Sequence, residues 1–76
     1  MEINDFISKV TAQFEETDPN LIQAGTKFRE LEEWSSIMAL SLIAMADDAF
    51  SIKLTGDEIR QSITFEDIFN ILITKE

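Results

Sequence analysis

The chain has 76 residues with a formal net charge of −9, from fifteen acidic and six basic side chains, and it contains neither cysteine nor histidine. These counts exclude a disulfide framework, thiolate chemistry and histidine-based catalysis, while the negative field disfavours nucleic acid and anionic membrane surfaces. The hydrophobic content of 45% excludes a disordered chain and predicts one small domain over residues 1–76.

The first predicted element is an amphipathic helix over about 2–16. Its apolar residues recur at helical spacing, at Ile3, Phe6, Ile7, Val10 and Phe14. Pro19 is expected to stop it, because a proline ring disfavours helical backbone at the preceding residue and supplies no N–H. Residues 1–5 have neither the basic stretch nor the apolar core of a signal peptide, so we expect a cytoplasmic protein.

Residues 17–35 show no periodicity, but they are too apolar for a free linker. We therefore predict a long ordered loop that its apolar side chains pack onto the helices. These side chains are Leu21, Ile22, Phe28, Leu31 and Trp34. Trp34 stands at the end of the loop, where it is either a partly buried anchor or a surface contact for partner proteins.

The second predicted helix covers about 36–50 and is apolar on nearly every side. Ser35 has the side chain of an N-terminal cap, which accepts a hydrogen bond from a free N–H of the first turn. Ser36 then occupies the first helical position with its hydroxyl outward, where an attached phosphate would meet free N–H groups and the positive end of the helix dipole. The apolar stretch 37–46 is too short to span a bilayer, so we expect no membrane insertion.

The side chains of this second helix divide between two faces and its end. One face suits the core or the edge of an apolar pocket, with Ile37, Leu40, Ile43, Ala44 and Phe50. Met38, Ser41 and Met45 fall on another face, where the flexible methionines either adapt to partner surfaces or fill gaps. Asp47 and Asp48 lie at the negative end of the helix, where carboxylates are slightly unfavourable. They either serve a function that explains this cost or form a solvated helix end.

A short connection and a short third helix follow. Ile52 and Leu54 are expected to turn inward. Thr55 has the side chain of a cap for a helix over about 56–61, in which Ile59 is the main core contact.

The last predicted helix covers about 65–74. Thr64, with Asp67 three residues later, resembles a capping box that opens it. Its apolar side chains pack it back onto the domain, and they are Phe65, Ile68, Phe69, Ile71 and Leu72.

The spacing of residues after Ser36 resembles the acyl carrier protein family. In that family an Asp-Ser-Leu triplet opens the second helix, and its serine carries a 4′-phosphopantetheine arm. This sequence has Ser35-Ser36-Ile37 at that point. Because Trp34 stands just before it, the chain resembles a tryptophan-containing subgroup of discrete carrier proteins. The other matching residues follow without a gap, at Phe50, Ile52-Lys53-Leu54, Asp57-Glu58 and Thr64-Phe65-Glu66-Asp67-Ile68-Phe69.

The resemblance implies an all-α fold, a small three- or four-helix bundle with a long first loop and a short third helix. It implies that a phosphopantetheinyl transferase attaches the arm of coenzyme A to Ser36. The arm would hold an acyl group as a thioester and present it to acyl-transferring or ketosynthase-type enzymes of fatty-acid, polyketide or related biosynthesis. Those enzymes would contact the acidic carrier through basic surfaces. Alternatively, the negative charge of the chain serves only its solubility. We expect a monomer.

Two groups of candidate site residues accompany Ser36. Those expected to contact partner enzymes are Trp34, Ile37, Met38, Ser41, Met45, Asp47 and Asp48. Those expected to form an acyl pocket or core are Phe28, Leu40, Ile43, Ala44, Phe50, Ile59 and Ile68. The chain has two pairs of consecutive carboxylates, Asp47-Asp48 and Asp57-Glu58. Neither pair predicts a metal site or a catalytic dyad, because neighbouring side chains on a helix do not converge.

Two classes of function stay open at this point, a carrier and an interaction module. An enzyme is disfavoured because the sequence has no histidine, cysteine or glycine-rich phosphate loop. A carrier would hold acyl cargo or, on the same arm, an aminoacyl or peptidyl group. Alternatively, the chain is an acidic helical interaction module that never carries an arm, with Met38, Met45 and Trp34 as its binding face. The family often has carboxylates two and five positions after its serine, where Met38 and Ser41 stand here, so the identity of the partner enzymes is undecided. The cargo is also undecided, because the same scaffold is compatible with several.

Overall fold

A computed structural model of the protein describes residues 1–76. It is an all-helical bundle with extents of 29 × 23 × 20 Å, which confirms the predicted fold class with its long first loop and short third helix. The α-helices are α1 (Ile3–Thr11), α2 (Ser36–Phe50), α3 (Gly56–Gln61) and α4 (Phe65–Thr74), and the first loop contains the 3₁₀ turns Pro19–Leu21 and Phe28–Glu30. None of the helices is both long and apolar enough to cross a membrane.

Side-chain caps fix the starts of the last three helices. The Met38 N–H donates to Ser35 Oγ at 3.2 Å, and Thr55 and Thr64 each form a reciprocal capping box. Each cap satisfies an N–H group that has no partner within its helix. The bounds of α2, α3 and α4 therefore agree with the predicted ranges, because the signal for each start is local.

Helix α1 is shorter than predicted and ends at Thr11 instead of 16. After Thr11 the N–H groups of Gln13 and Phe14 donate to carbonyls only three residues earlier. The Glu33 carboxylate then accepts hydrogen bonds from the next three N–H groups, those of Glu15, Glu16 and Thr17, at 2.8, 3.0 and 3.0 Å. In a continued helix these N–H groups would donate to carbonyls four residues earlier. Glu33 therefore holds residues 15–17 in a non-helical path after the helix has ended, while Phe14 stays in the core with its ring edge-on to Phe65.

The core is a cluster of fifteen buried apolar residues, to which the segment between α1 and α2 contributes Phe14, Ile22 and Phe28. Phe28 is fully buried, and its ring centroid lies 5.5 Å from that of Phe65 and 4.5 Å from that of Trp34. The loop is therefore part of the bundle, as predicted. Leu21 is the exception, because its side chain is 57% exposed and does not anchor the loop.

Helix α2 buries a different face from the one predicted. Its buried residues are Met38, Leu42, Met45 and Ala46, whose spacing of four, three and one residues forms one stripe. The prediction that Met38 and Met45 contact partners is therefore wrong, since both fill the core. The face predicted for the core or the edge of an apolar pocket is not the core face, because Ile37, Leu40 and Ala44 are exposed. A helix that is apolar on every side gives no contrast from which to choose the buried face, so packing against the other elements decides it.

Candidate functional site

Ser36 is exposed at the first residue of α2. The Ser35 carbonyl accepts the first backbone bond of this helix, from the Ala39 N–H at 3.0 Å. The N–H groups of Ser36 and Ile37 come before that bond, at the positive end of the helix dipole. The first turn of α2 contains no acidic residue that would repel an anion. These features fit a phosphate attached to the Ser36 hydroxyl.

Ser36 also lies on the edge of a groove between α2 and α3. The groove has a volume of about 440 Å³ and is lined mainly by apolar groups. Beside Ser36, Arg29 and Arg60, its lining residues are Trp34, Ala39, Leu40, Ile43, Gly56 and Ile59. A group tethered to the hydroxyl would therefore start next to an apolar surface in which it could be sheltered.

Trp34 contributes to this groove while it also packs inside the domain. Its side chain is partly buried against Phe28, and its remaining surface faces the groove. The anchor interpretation is thus confirmed, and contact of Trp34 with partner enzymes stays a prediction.

The other predicted pocket residues are divided between the groove and the core. Leu40, Ile43 and Ile59 line the groove. Phe28 and Ile68 are fully buried in the core, where Phe50 also packs with part of its surface exposed.

The other four predicted partner-contact residues lie in three places. Ile37 is 74% exposed beside Ser36. Ser41 lines a shallow depression between α1 and α2, together with the exposed Ala44. Asp47 pairs with Lys53 at 3.0 Å at the other end of α2, where Asp48 is also exposed. Only Ile37 of these residues is next to the candidate attachment point.

Sequence reasoning missed the two arginines of the groove. Arg29 Nη1 donates to the Ser62 carbonyl at 2.6 Å, and Nη2 donates to the carbonyls of Ile59 and Arg60 at 2.9 and 3.0 Å. Its guanidinium thereby caps the C-terminal end of α3 and lies 4.8 Å from the centroid of the Phe28 ring. A contact across about thirty residues leaves no local signal in the sequence, so only the packing of the loop on α3 shows it.

Glu33 is a second residue whose role the sequence did not indicate. Its carboxylate accepts four hydrogen bonds, three from the N–H groups of residues 15–17 and one from the Thr17 hydroxyl at 2.7 Å. The Thr17 hydroxyl and the backbone N–H groups lower the pKa of Glu33 from its ordinary value of 4.5. The ionised form of Glu33 therefore holds the start of the first loop.

Glu33→Gln is expected to lower the free energy of unfolding at neutral pH, because an amide has one acceptor oxygen where the carboxylate has two. The folded-state pKa of Glu33 lies below 4.5, so its stabilising contribution is present above that pH and is lost as the pH falls through the folded pKa. The difference between wild type and variant in urea unfolding should thus be constant near neutral pH and shrink in acid.

Glu32→Gln is the matched control for this change. It removes the same charge from the neighbouring residue, which is exposed and makes no hydrogen bond to the loop. Equal destabilisation by the two variants at neutral pH would show that charge alone, and not the four hydrogen bonds, accounts for the effect.

No protein-family model, no curated protein and no solved structure matches this chain. Functional inference therefore depends on the geometry at Ser36 and on the spacing of the residues around it. The site combines an exposed serine hydroxyl, a helix terminus that favours an anion and an apolar groove. It has no histidine or cysteine to act as a nucleophile or base.

Proposed function

We propose that this protein is an acyl carrier protein that holds its cargo on a 4′-phosphopantetheine arm attached to Ser36. The observation that supports this most directly is the exposed Ser36 hydroxyl at the start of α2, on the edge of an apolar groove. The resemblance of Ser35-Ser36-Ile37 and its spacing to the later helices selects the same hydroxyl. The carrier would work in the cytoplasm as a monomer.

The attachment needs an external enzyme, since the chain offers Ser36 no histidine or thiolate as a base. In the transferase, Ser36 Oγ bonds to the phosphorus of the pantetheine half of coenzyme A. The pyrophosphate bond breaks, the nucleotide half leaves, and the hydroxyl proton passes to a base or to water. The thiol at the end of the arm then supplies thioester chemistry.

Residues of the chain would support the arm in two ways. The N–H groups of Ser36 and Ile37 and the helix dipole favour the phosphate at the point of attachment. The groove walls of Leu40, Ile43 and Ile59 shelter apolar parts of the arm or cargo from water. Both contributions place the reactive end near α2 until a partner enzyme takes it.

Partner enzymes would dock around the exposed side chain of Ile37 and the exposed edge of Leu40, which are 74% and 64% exposed. Exposed apolar residues next to a modification site are suited to transient contact. Asp47 and Asp48 would meet basic residues of acyl-transferring or ketosynthase-type enzymes at the far end of α2.

An unmodified interaction module is the second candidate, and the exposed Ile37 and Leu40 are the observation that favours it. Such a module would use these side chains without an arm. A face made of Met38 and Met45 is no longer available to it, since both are buried. An aminoacyl or peptidyl carrier would use the same Ser36 arm and would differ only in its cargo.

The decisive experiment incubates the purified chain with coenzyme A and a phosphopantetheinyl transferase of broad specificity. We expect the intact mass to rise by one arm, and fragmentation of the modified peptide to place the addition on Ser36. A parallel incubation without coenzyme A is the control. An unchanged mass with several transferases would favour the interaction module, and addition of the arm at any other serine would contradict the site.

A further inference from the structure

Two guanidinium groups line the groove beside Ser36, and no carboxylate lines it. Arg29 and Arg60 are two of only six basic residues in a chain with fifteen acidic ones. The other lining residues apart from Ser36 are apolar or glycine. The groove is therefore a cationic and apolar site on a strongly acidic protein, and this contrast calls for a chemical explanation.

The charge of Arg29 is not neutralised by a carboxylate. Its three hydrogen-bond acceptors are the neutral carbonyl oxygens of Ile59, Arg60 and Ser62. A guanidinium has five N–H donors, so two remain for another acceptor. Arg29 is held in place by α3 and by the Phe28 ring, which means that little entropy is lost when it binds an anion.

Arg60 provides a second positive charge, which can leave its present ion pair to bind an anion in the groove. It pairs with Asp57 three residues earlier, and the side chains of both are exposed, at 73% and 76%. An exposed pair of this kind contributes little, so an anion in the groove can compete with it. A Cβ added at Gly56 would lie 3.5 Å from Arg60 Nη1, which places this guanidinium over the first turn of α3.

We propose that the groove binds an acyl cargo that ends in a carboxylate, so that the chain carries dicarboxylic acyl thioesters in preference to plain fatty acyl chains. This inference rests on the proposed attachment at Ser36. The apolar walls take the methylene groups, while Arg29 and Arg60 take the terminal carboxylate. Tethering raises the local concentration of the cargo, so weak contacts are sufficient.

The test compares two cargoes of equal chain length on the same arm, adipoyl and hexanoyl. A transferase of broad specificity loads each from its coenzyme A thioester, and intact mass verifies loading. Hydroxylamine cleaves the thioester, and its rate is measured for each loaded protein and for the same acyl group on free coenzyme A. The measured quantity is the rate for the free acyl-coenzyme A divided by the rate for the protein-bound thioester. This ratio is a protection factor that reports how much of the time the groove shelters the thioester. Any intrinsic difference in reactivity between adipoyl and hexanoyl thioesters cancels in it.

We expect the wild type to protect adipoyl about two- to fivefold more than hexanoyl, the range given by an exposed ion pair. The excess should fall with added salt. The excess protection of adipoyl should also fall in Arg60→Gln. It should persist in the control Lys53→Gln, which removes one positive charge from an exposed residue outside the groove. Arg60→Gln is preferred to changes at Arg29, because Arg29 also caps α3.

A groove that recognises only apolar chains would protect hexanoyl at least as well as adipoyl, and this result would overturn the proposal. The phosphate of the arm is the other anion that Arg29 and Arg60 could bind. If it occupied them, the two cargoes would be protected equally, which would also overturn it. An unchanged adipoyl excess in Arg60→Gln would do the same. Failure of loading, read from the intact mass, would contradict the proposed function before any protection factor is measured.

Discussion

Ser36→Ala is expected to abolish attachment of the arm, while the free energy of unfolding stays within about 0.5 kcal/mol of the wild-type value. The hydroxyl of Ser36 is exposed and caps no helix, because Ser35 accepts the bond from the Met38 N–H. Its loss removes the nucleophile and leaves the fold intact. Intact mass after incubation with coenzyme A and transferase, together with urea unfolding, measures both parts of this prediction.

Ser35→Ala is the matched variant and should have the opposite effects. It removes the cap of α2, which costs about 1 kcal/mol, yet it leaves the nucleophile in place. The arm should therefore still be attached. The two variants thus distinguish modification from stability. Ser36→Ala should change only the attachment of the arm, and Ser35→Ala only the free energy of unfolding. If Ser35→Ala lost the modification and Ser36→Ala kept it, the arm would belong on Ser35.

The parts of the fold that the sequence predicted well depend on short-range signals. Ser35, Thr55 and Thr64 each stand at a helix start and bond within three residues. Such caps are visible in the sequence because the donor and the acceptor are close together in it. The starts of α2, α3 and α4 follow from them, and so does the position of the Ser36 hydroxyl.

The parts that the sequence could not predict depend on contacts between distant residues. The Glu33 carboxylate accepts a hydrogen bond from the Glu16 N–H, seventeen residues earlier and beyond the end of α1, and Arg29 reaches the Ile59 carbonyl thirty residues further along the chain. The buried face of α2 was missed for a related reason. Met38 and Leu40 are equally apolar, so only the packing of the loop and α1 against α2 makes one of them core and the other groove edge.

Phe28→Ala is expected to lower the free energy of unfolding by about 3–5 kcal/mol, because it removes a fully buried ring and leaves a cavity. This is a large fraction of the total stability of a small domain, which is about 5–15 kcal/mol. The ring packs against Phe65 and Trp34 and lies under the Arg29 guanidinium. Urea unfolding followed by helical circular dichroism measures the loss without depending on the tryptophan signal.

Leu21→Ala is the control from the same loop, and it should change stability by less than about 0.5 kcal/mol because Leu21 is 57% exposed. The contrast tests whether the first loop is part of the core. The Phe28 variant should also shift the fluorescence of Trp34, since the indole loses the ring against which it packs, 4.5 Å between centroids. A loss below about 1 kcal/mol for Phe28→Ala would mean that the loop is not held against the helices. In that case the groove, which Trp34 and Arg29 bring to Ser36 from this loop, would lack a fixed wall.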